Sequence, residues 1–408
     1  MIRPTVRTRN LVIAALLLYF FANQTQIGWL YVMSALLLGI VAAAWLVSLG
    51  MLGRVEGERS LSADEIYEGD QVTVSLRLAQ RRAAPALQIR SVEVCPLADP
   101  RSPQHHIDLF IPQIPGSGAV AFSYETPAYR RGVQRFEPLT LTTGAPFGLF
   151  RGERKIDVPT AALVYPEVIR LRQLSLLDRQ PAAQQTRPRA GHGSEVIGVR
   201  PFRPGDSPRH VHWRTVARTQ QLISKEFADE AHPGLTLALD LFRHPYPHAT
   251  TKHTPFEWSI KAAAAIAEYA RRRGYALHLA ADQDALPAPA GPLSWEALMQ
   301  LLARAEPAGS MRLADLLPSQ SYQTFVAVMI PWPEQDALTP QLDLKGRGLD
   351  VLAVVLDPAS FPDGGPASGP LVDGLRAAGI EAALVQFGKD LGEQIAETPE
   401  RVMADVTV

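Results

Sequence analysis

Apolar positions dominate the N-terminal part of the chain. Between Asn10 and Gly53 there is no charged side chain. One helix of that length would reach about 66 Å, against a bilayer core of about 30 Å. The polar cluster Asn23-Gln24-Thr25-Gln26 divides the run in two. Ile27–Leu52 is long enough to span a membrane. Leu11–Ala22 is shorter and gains length if Arg7 and Arg9 snorkel to the headgroups. A signal peptide with Arg3, Arg7 and Arg9 as its basic region is one competing reading, and a buried soluble hairpin is another. No A-x-A cleavage site follows the first run, and a second apolar run comes at once, which favours a transmembrane hairpin over residues 1–55. Arginines flank both helices (Arg3, Arg7 and Arg9 before, Arg54 and Arg59 after) and the tip has no charge. The positive-inside rule therefore places both ends, and everything after residue 53, in the cytoplasm.

The pattern then changes to period two. Val72–Leu78, Leu87–Val94 and Ala119–Tyr124 alternate apolar and polar residues and predict strands. Glu68-Gly69-Asp70, Pro115-Gly116-Ser117-Gly118 and Arg131-Gly132 are the turns between them. Residues 56–170 are expected to form a small antiparallel sandwich or barrel. A polar Gln/Arg/Pro-rich stretch over residues 175–195 reads as a linker, and residues 171–233 as linker plus a basic segment.

From Leu235 the apolar runs are short and unbroken: Leu235–Leu241, Ala276–Ala281, Thr324–Ile330, Val351–Leu356 and Ala382–Phe387. Strands buried on both faces look like this. Helical segments lie between them. Pro255–Arg273 has Thr254 as its cap, Glu257 completing a capping box and Gly274 past its end. Further helices are expected after Ser294 and over Leu371–Ala378. The alternation predicts a doubly wound, mainly parallel α/β domain over residues 234–408.

Composition narrows the functional classes. The 408 residues carry 40 Lys+Arg against 41 Asp+Glu, so the chain is neither a general nucleic-acid coat nor an acidic tail protein. At 47% hydrophobic it can form packed cores. Cys95 is the sole cysteine, which excludes an internal disulfide framework and a cysteine zinc cage.

The densest chemistry lies just ahead of the α/β pattern. Between Arg187 and Arg218 arginines far outnumber the acids Glu195 and Asp206. Pro204-Gly205-Asp206 is a tight-turn signature, and Asp206 is placed to pair with Arg200 or Arg209. This segment suits two roles: a structural lock in which Asp206 and its arginines fix the turn and Trp213 docks on the domain, or a surface for a partner. Exposed interleaved aromatics are lacking, so nucleic acid is not the expected partner.

Arg200, Arg203-Pro204-Gly205-Asp206, Arg209, His212-Trp213, Ala217-Arg218, Leu222 and Lys225-Glu226-Phe227 resemble the signature of the domain of unknown function 58 family. Gly144-Ala145-Pro146-Phe147-Gly148-Leu149-Phe150 resembles that family's pre-signature turn, usually Asp-Pro-Phe-Gly-Leu-Phe. Val164–Val168 resembles a further recurring segment. The resemblance is specific over about residues 140–240 and architectural over the rest. It implies an N-terminal transmembrane pair in the bacterial inner membrane, a β-rich region and a von Willebrand factor A-like α/β domain. It also implies association with MoxR-type AAA+ ATPases or other von Willebrand A-like proteins in an assembly or chaperone-like system; the family has no established biochemical activity, and no enzymatic activity is expected of this chain.

A von Willebrand A fold often carries a metal site beginning Asp-x-Ser-x-Ser after its first strand. Here the run is Asp240-Leu241-Phe242-Arg243-His244, so the aspartate remains while both hydroxyl ligands are missing. Asp240 is expected to bond to backbone or to a basic residue. His244, His248 and His253 lie close in sequence without the spacing of a zinc site, and His105-His106 reads as a surface pair. No nucleophile elbow, phosphate loop or dinucleotide fingerprint occurs, and no cofactor is expected. Asp240 and Asp357 follow apolar runs, where α/β folds place ligands and where aspartates also cap loops. The expectation is a membrane-anchored interaction or scaffold protein. The alternative is a metal-dependent adhesion protein or hydrolase using that strand-end face.

Overall fold

The structure, a computed structural model, describes residues 2–178, 190–202, 211–228, 234–243, 252–289, 291–316, 324–330, 338–362 and 364–396. The chain divides into two compact units, Met1–Tyr165 and Pro166–Val408.

The first unit begins with a short strand, β1 (Ile2–Pro4), followed by helices α1 (Val6–Thr25) and α2 (Gly28–Met51). The turn between the helices uses Gln26 in the left-handed region, whose N–H caps Ala22 O at 2.8 Å. The helices pack through small residues: Ala15, Ala22, Ser34 and Ala44 are buried, and Ser34 Oγ donates to Ala15 O at 2.8 Å. Close approach through small side chains suits helices in an apolar solvent. Large side chains instead face outward, among them Leu17, Phe20, Leu36 and Leu46. Among the described residues one helix, α2, is long and apolar enough to cross a membrane. The expected pair of spans is thus narrowed to one candidate, because α1 carries Arg7 and Arg9 in its first turns.

The period-two segments form the predicted strands, and more besides. They are β2 (Val55–Leu61), β3 (Ile66–Tyr67), β4 (Gln71–Gln80), β5 (Ala86–Val94), β6 (His106–Ile114), β7 (Ala119–Pro127), β8 (Gly132–Arg135), β9 (Leu139–Thr143), β10 (Phe150–Ile156) and β11 (Ala161–Tyr165). One sheet has the order β1-β10-β9-β5-β6, a second β2-β4-β7 and a third β3-β11-β8. Leu76 and Leu78 of the second sheet share a core with Ile89, Ile111, Leu139 and Leu141 of the first, so the two pack face to face as a sandwich.

Both ends of the helix pair are tied to this sandwich. β1 pairs antiparallel with β10, Ile2 opposite Gly152 and Pro4 opposite Phe150. At the other end the carbonyls that close α2 receive donors from the sandwich: Arg82 Nη1, in the turn between β4 and β5, to Gly50 O at 3.0 Å and Arg154 Nη1 of β10 to Leu52 O at 2.6 Å. These guanidinium groups also meet the negative end of the helix dipole.

An ion pair is sealed inside the unit. Arg59 Nε of β2 lies 2.7 Å from Glu93 Oε1 of β5, with the two side chains 0% and 1% exposed. Arg59 Nη1 donates to Val158 O at 2.9 Å, and its guanidinium lies 4.4 Å from the centre of the Phe136 ring. Burial raises the Glu93 carboxyl above the usual range, against the lowering by Arg59.

In the second unit α3 (Ser175–Asp178) buries Leu176 and Leu177, and β12 (Ala190–Pro201) is already strand, so the stretch read as a linker is ordered at both ends. There follow α4 (Trp213–Thr219), β13 (Ile223–Ala228), β14 (Gly234–Leu239), α5 (Pro255–Arg272), β15 (Ala276–Ala280), α6 (Trp295–Arg304), β16 (Thr324–Met329), α7 (Thr339–Gly346), β17 (Asp350–Leu356), α8 (Gly369–Ala377), β18 (Glu381–Val385) and α9 (Leu391–Ala396). β12 and β13 pair as an antiparallel ribbon. The others form a parallel sheet of order β15-β14-β16-β17-β18, the doubly wound arrangement expected from the apolar runs. Thr254 Oγ1 accepts from Glu257 N at 3.2 Å, and Ser294 Oγ from Ala297 N at 3.2 Å, so both predicted caps are in place. The run Ala262–Ala265 of α5 is fully buried, which lets the helix lie close to the sheet.

The sealed ion pair generates a prediction. Removing one partner by Arg59→Met or Glu93→Leu should each cost about 3–5 kcal/mol, because the other charge is left buried alone. The double replacement should recover most of that loss, since an apolar pair needs no desolvation. Thermal unfolding of the detergent-solubilised chain measures it; additive losses in the double variant would contradict it.

Candidate functional site

The parallel sheet places an aspartate after three of its strands. Asp240 follows β14 at the switch point between β14 and β16, where the strand order reverses. It is 1% exposed. Its Oδ1 accepts from Phe242 N at 3.0 Å and its Oδ2 from Ile330 N at 3.4 Å, so it joins the loops on the two sides of the crevice. Asp357, after β17, accepts from Ser368 N and from Gln386 Nε2, each at 3.0 Å.

Asp282 completes the set. It lies two residues after β15, and its carboxylate accepts from Asp284 N at 3.0 Å, Ser310 N at 2.8 Å and Met311 N at 2.9 Å. The N–H groups of Met311 and Ser310 hold its carboxyl below the usual carboxylate range. The cradle is tight: a Cβ on Gly309 would lie 2.8 Å from Leu241 O and 3.0 Å from Asp282 Oδ2. Sequence reading named Asp240 and Asp357 and missed Asp282, although it too closes an apolar run. All three carboxylates spend their oxygens on loop donors. Among the described residues no group of three or more His, Cys, Asp or Glu is arranged to hold a metal. His253 packs edge-on to Phe387 with ring centres 5.3 Å apart, while His244 and His248 lie outside the described residues. The surface pair His105 and His106 stacks edge to face at 4.8 Å.

The signature segment forms a separate feature. Pro204, Gly205, Asp206 and Arg209 lie outside the described residues, and so do the side chains of Arg200, Lys225 and Glu226. The backbone of the latter three is clear: Arg200 sits opposite Ser224, Val199 opposite Lys225 and Gly198 opposite Glu226 in the β12–β13 ribbon. The chain re-enters at Val211, which is buried and bridges to Ser224, and His212 N donates to Ile223 O at 2.9 Å. His212 then caps α4. Its Nδ1 lies 2.7 Å from Thr215 Oγ1 and accepts from Thr215 N at 3.3 Å. Gln220 ends the helix in the left-handed region. Trp213 and Arg218 are both exposed on this short helix.

The exposure of Trp213 corrects the expectation that it docks on the domain. It is 65% exposed, and Leu222 and Val199 of the same module are 55% and 48% exposed. Trp213 is the first residue of the short helix that His212 caps, and its side chain lies largely in solvent.

Residues 198–368 match the model of a family described as protein of unknown function DUF58. The DUF58 match thus runs from the β12–β13 ribbon through β17 to Ser368. The pre-signature turn Gly144–Phe150 and the segment Val164–Val168 fall outside it. The chain is also 26% identical over 210 residues to the uncharacterized protein YeaD of Bacillus subtilis, covering 50% of this chain and 52% of YeaD. It therefore spans about half the length of that curated relative. Among solved structures, a candidate late embryogenesis abundant (LEA) protein is similar at 13% identity, over 32% of this chain and 82% of that one, with a TM-score of 0.17. The sporulation control protein Spo0M of Bacillus subtilis is similar at 13% identity, over 26% of this chain and 50% of its own, with a TM-score of 0.14.

Two substitutions separate the roles of these features. Trp213→Ala should shift stability by no more than about 0.5 kcal/mol, as for other exposed positions. Asp282→Ala should cost about 2 kcal/mol, because buried loop donors lose a charged acceptor. The Asp282 contribution is present above the ordinary aspartate pKa and is lost as pH falls through the depressed folded value. Thermal unfolding between neutral and acid pH checks both; a large loss for Trp213→Ala would restore the docked reading.

Proposed function

We propose that this chain is a membrane-anchored, non-enzymatic interaction protein. In this reading α1 and α2 cross the bacterial inner membrane as a hairpin and the remaining chain lies in the cytoplasm. The second unit acts as a von Willebrand A-like platform that docks a MoxR-type AAA+ ATPase or another von Willebrand A-like protein.

The observation that carries the reading is the outward-facing Trp213 on a bonded ribbon-and-helix module in which Leu222 and Val199 are exposed as well. Tryptophan is the side chain most often dominant at the centre of protein interfaces. Arg214 and Arg218 of the same helix are exposed and add polar, cationic surface to the module. The sheet order and the aspartate at the switch point support the von Willebrand A-like assignment, with Asp240 retained as a loop-joining residue. The hairpin is supported by the anchoring of both its ends in one sandwich, since a helix leaving and a helix returning to the same domain cross together or not at all. The arginines on the sandwich side of the helices support the cytoplasmic orientation.

A photo-crosslinking amino acid at position 213, introduced in cells, tests the docking role. Transfer of the label to a MoxR-type ATPase or a second von Willebrand A-like protein is expected, together with loss of co-purification of that partner in Trp213→Ala. Labelling of neither, with co-purification unchanged in the variant, would overturn it.

A further inference from the structure

The base of the helix pair carries an aromatic ring that nothing in its own unit covers. Phe147 is 74% exposed and takes φ 60°, in the left-handed region that bulky L residues rarely enter. The turn that presents it is tightly bonded. Gly148 N donates to Gly144 O at 2.7 Å, Thr5 Oγ1 to Gly148 O at 2.9 Å and Thr5 N to Leu149 O at 2.9 Å. Thr8 Oγ1 also donates to Leu149 O, and Ser48 Oγ contacts Ala145 O at 3.2 Å. Leu149 and Phe150 are buried against Ala44 of α2. The backbone around Phe147 is therefore held from α1, α2 and the sandwich while the ring itself points away from all three.

The depth of this turn along the helices is informative. Ser48 lies about 30 Å from Gly28 along α2, at 1.5 Å per residue, and the hydrocarbon core of a bilayer is about 30 Å thick. If α2 spans, the turn held by Ser48 sits where hydrocarbon gives way to headgroups. Aromatic side chains concentrate at that level. Cations surround it. Arg7 is close enough that a Cβ on Gly148 would lie 3.1 Å from its Nη1, and Arg9 and Arg54 are exposed. Arg82 and Arg154 are fixed on the carbonyls that close α2.

We propose that the turn Gly144–Phe150 and these arginines form a collar that docks on the membrane leaflet next to the sandwich. Phe147 inserts at the boundary between headgroups and acyl chains, and the arginines pair with anionic phospholipid headgroups. The collar makes the sandwich a second membrane contact, so that the helix pair and the β-unit approach the bilayer as one body. This rests on the reading that α2 spans the membrane.

The full chain reconstituted in phosphatidylcholine–phosphatidylglycerol vesicles tests it. Cys95 is fully buried, so nitroxide labels can be placed at Phe147→Cys, at Leu38→Cys midway along α2 and at Ser123→Cys on the exposed face of β7, with the unsubstituted chain as labelling blank. Collision rates with oxygen and with a water-soluble nickel chelate report depth. The collar predicts loss of nickel access at 147 relative to 123, deeper loss at 38, and partial return of access at 147 in phosphatidylcholine alone. Nickel access at 147 equal to that at 123, with position 38 protected, overturns the collar and leaves the span standing. Nickel access at 38 overturns both. Equal access at 147 in the two lipids overturns the anionic pairing.

Discussion

Three residues at the start of the chain set the geometry of the first unit. β1 hydrogen-bonds to β10 at the edge of one sheet, and after two helices the chain enters β2 of the facing sheet. The helices are thereby closed into a loop whose two ends are held in the facing sheets of one sandwich. Thr5 and Thr8 continue the tie from α1, and Arg82 and Arg154 complete it from the sandwich to the carbonyls that close α2. Each of these bonds satisfies a carbonyl that otherwise lies at a helix end or a tight turn, where an unmet polar group is expensive. Whatever medium surrounds the apolar helix surface must therefore meet the sandwich at a fixed distance from the tip.

The second unit solves a different problem with similar means. A parallel sheet ends in loops that carry backbone donors into a crowded edge, and three aspartates collect those donors. Asp240 bridges the two loops at the switch point, Asp282 gathers Ser310 and Met311, and Asp357 holds Ser368 and Gln386. The described contacts of these aspartates tie the loops of this edge to one another. In the β12–β13 module Trp213, Leu222 and Val199 are exposed, within the residues that match DUF58.

Much of this was legible from pattern alone. Alternation over Val72–Leu78, Leu87–Val94 and Ala119–Tyr124 marks strands β4, β5 and β7, because one face of each meets the opposite sheet. Unbroken apolar runs mark the parallel strands, and Thr254 with Glu257 marks the start of α5. The rest depends on contacts distant in sequence. Ile2-Arg3-Pro4 has no strand pattern, since it borrows its pairing from residues some 150 positions on. Arg59 and Glu93 are charged residues that local alternation assigns no buried partner, yet each is sealed against the other across the sandwich. Trp213 misleads in the opposite sense, because the rigid turn residues and charges before it suggest docking while the side chain stays exposed. Phe147 stood out only as part of a recurring turn, and its exposure follows from the bonds that hold that turn to the helices.

The central claim is that α1 and α2 cross a membrane together, with both units on the side of the helix bases. A dual phosphatase–fluorescent protein topology reporter tests it most directly, placed in turn between Gln26 and Ile27 and after Val408 in the full chain. The account predicts phosphatase activity without fluorescence at the tip, and fluorescence without phosphatase activity at the C-terminus. The same compartment reported at both positions would contradict it, and would make the helix pair a surface feature rather than an anchor.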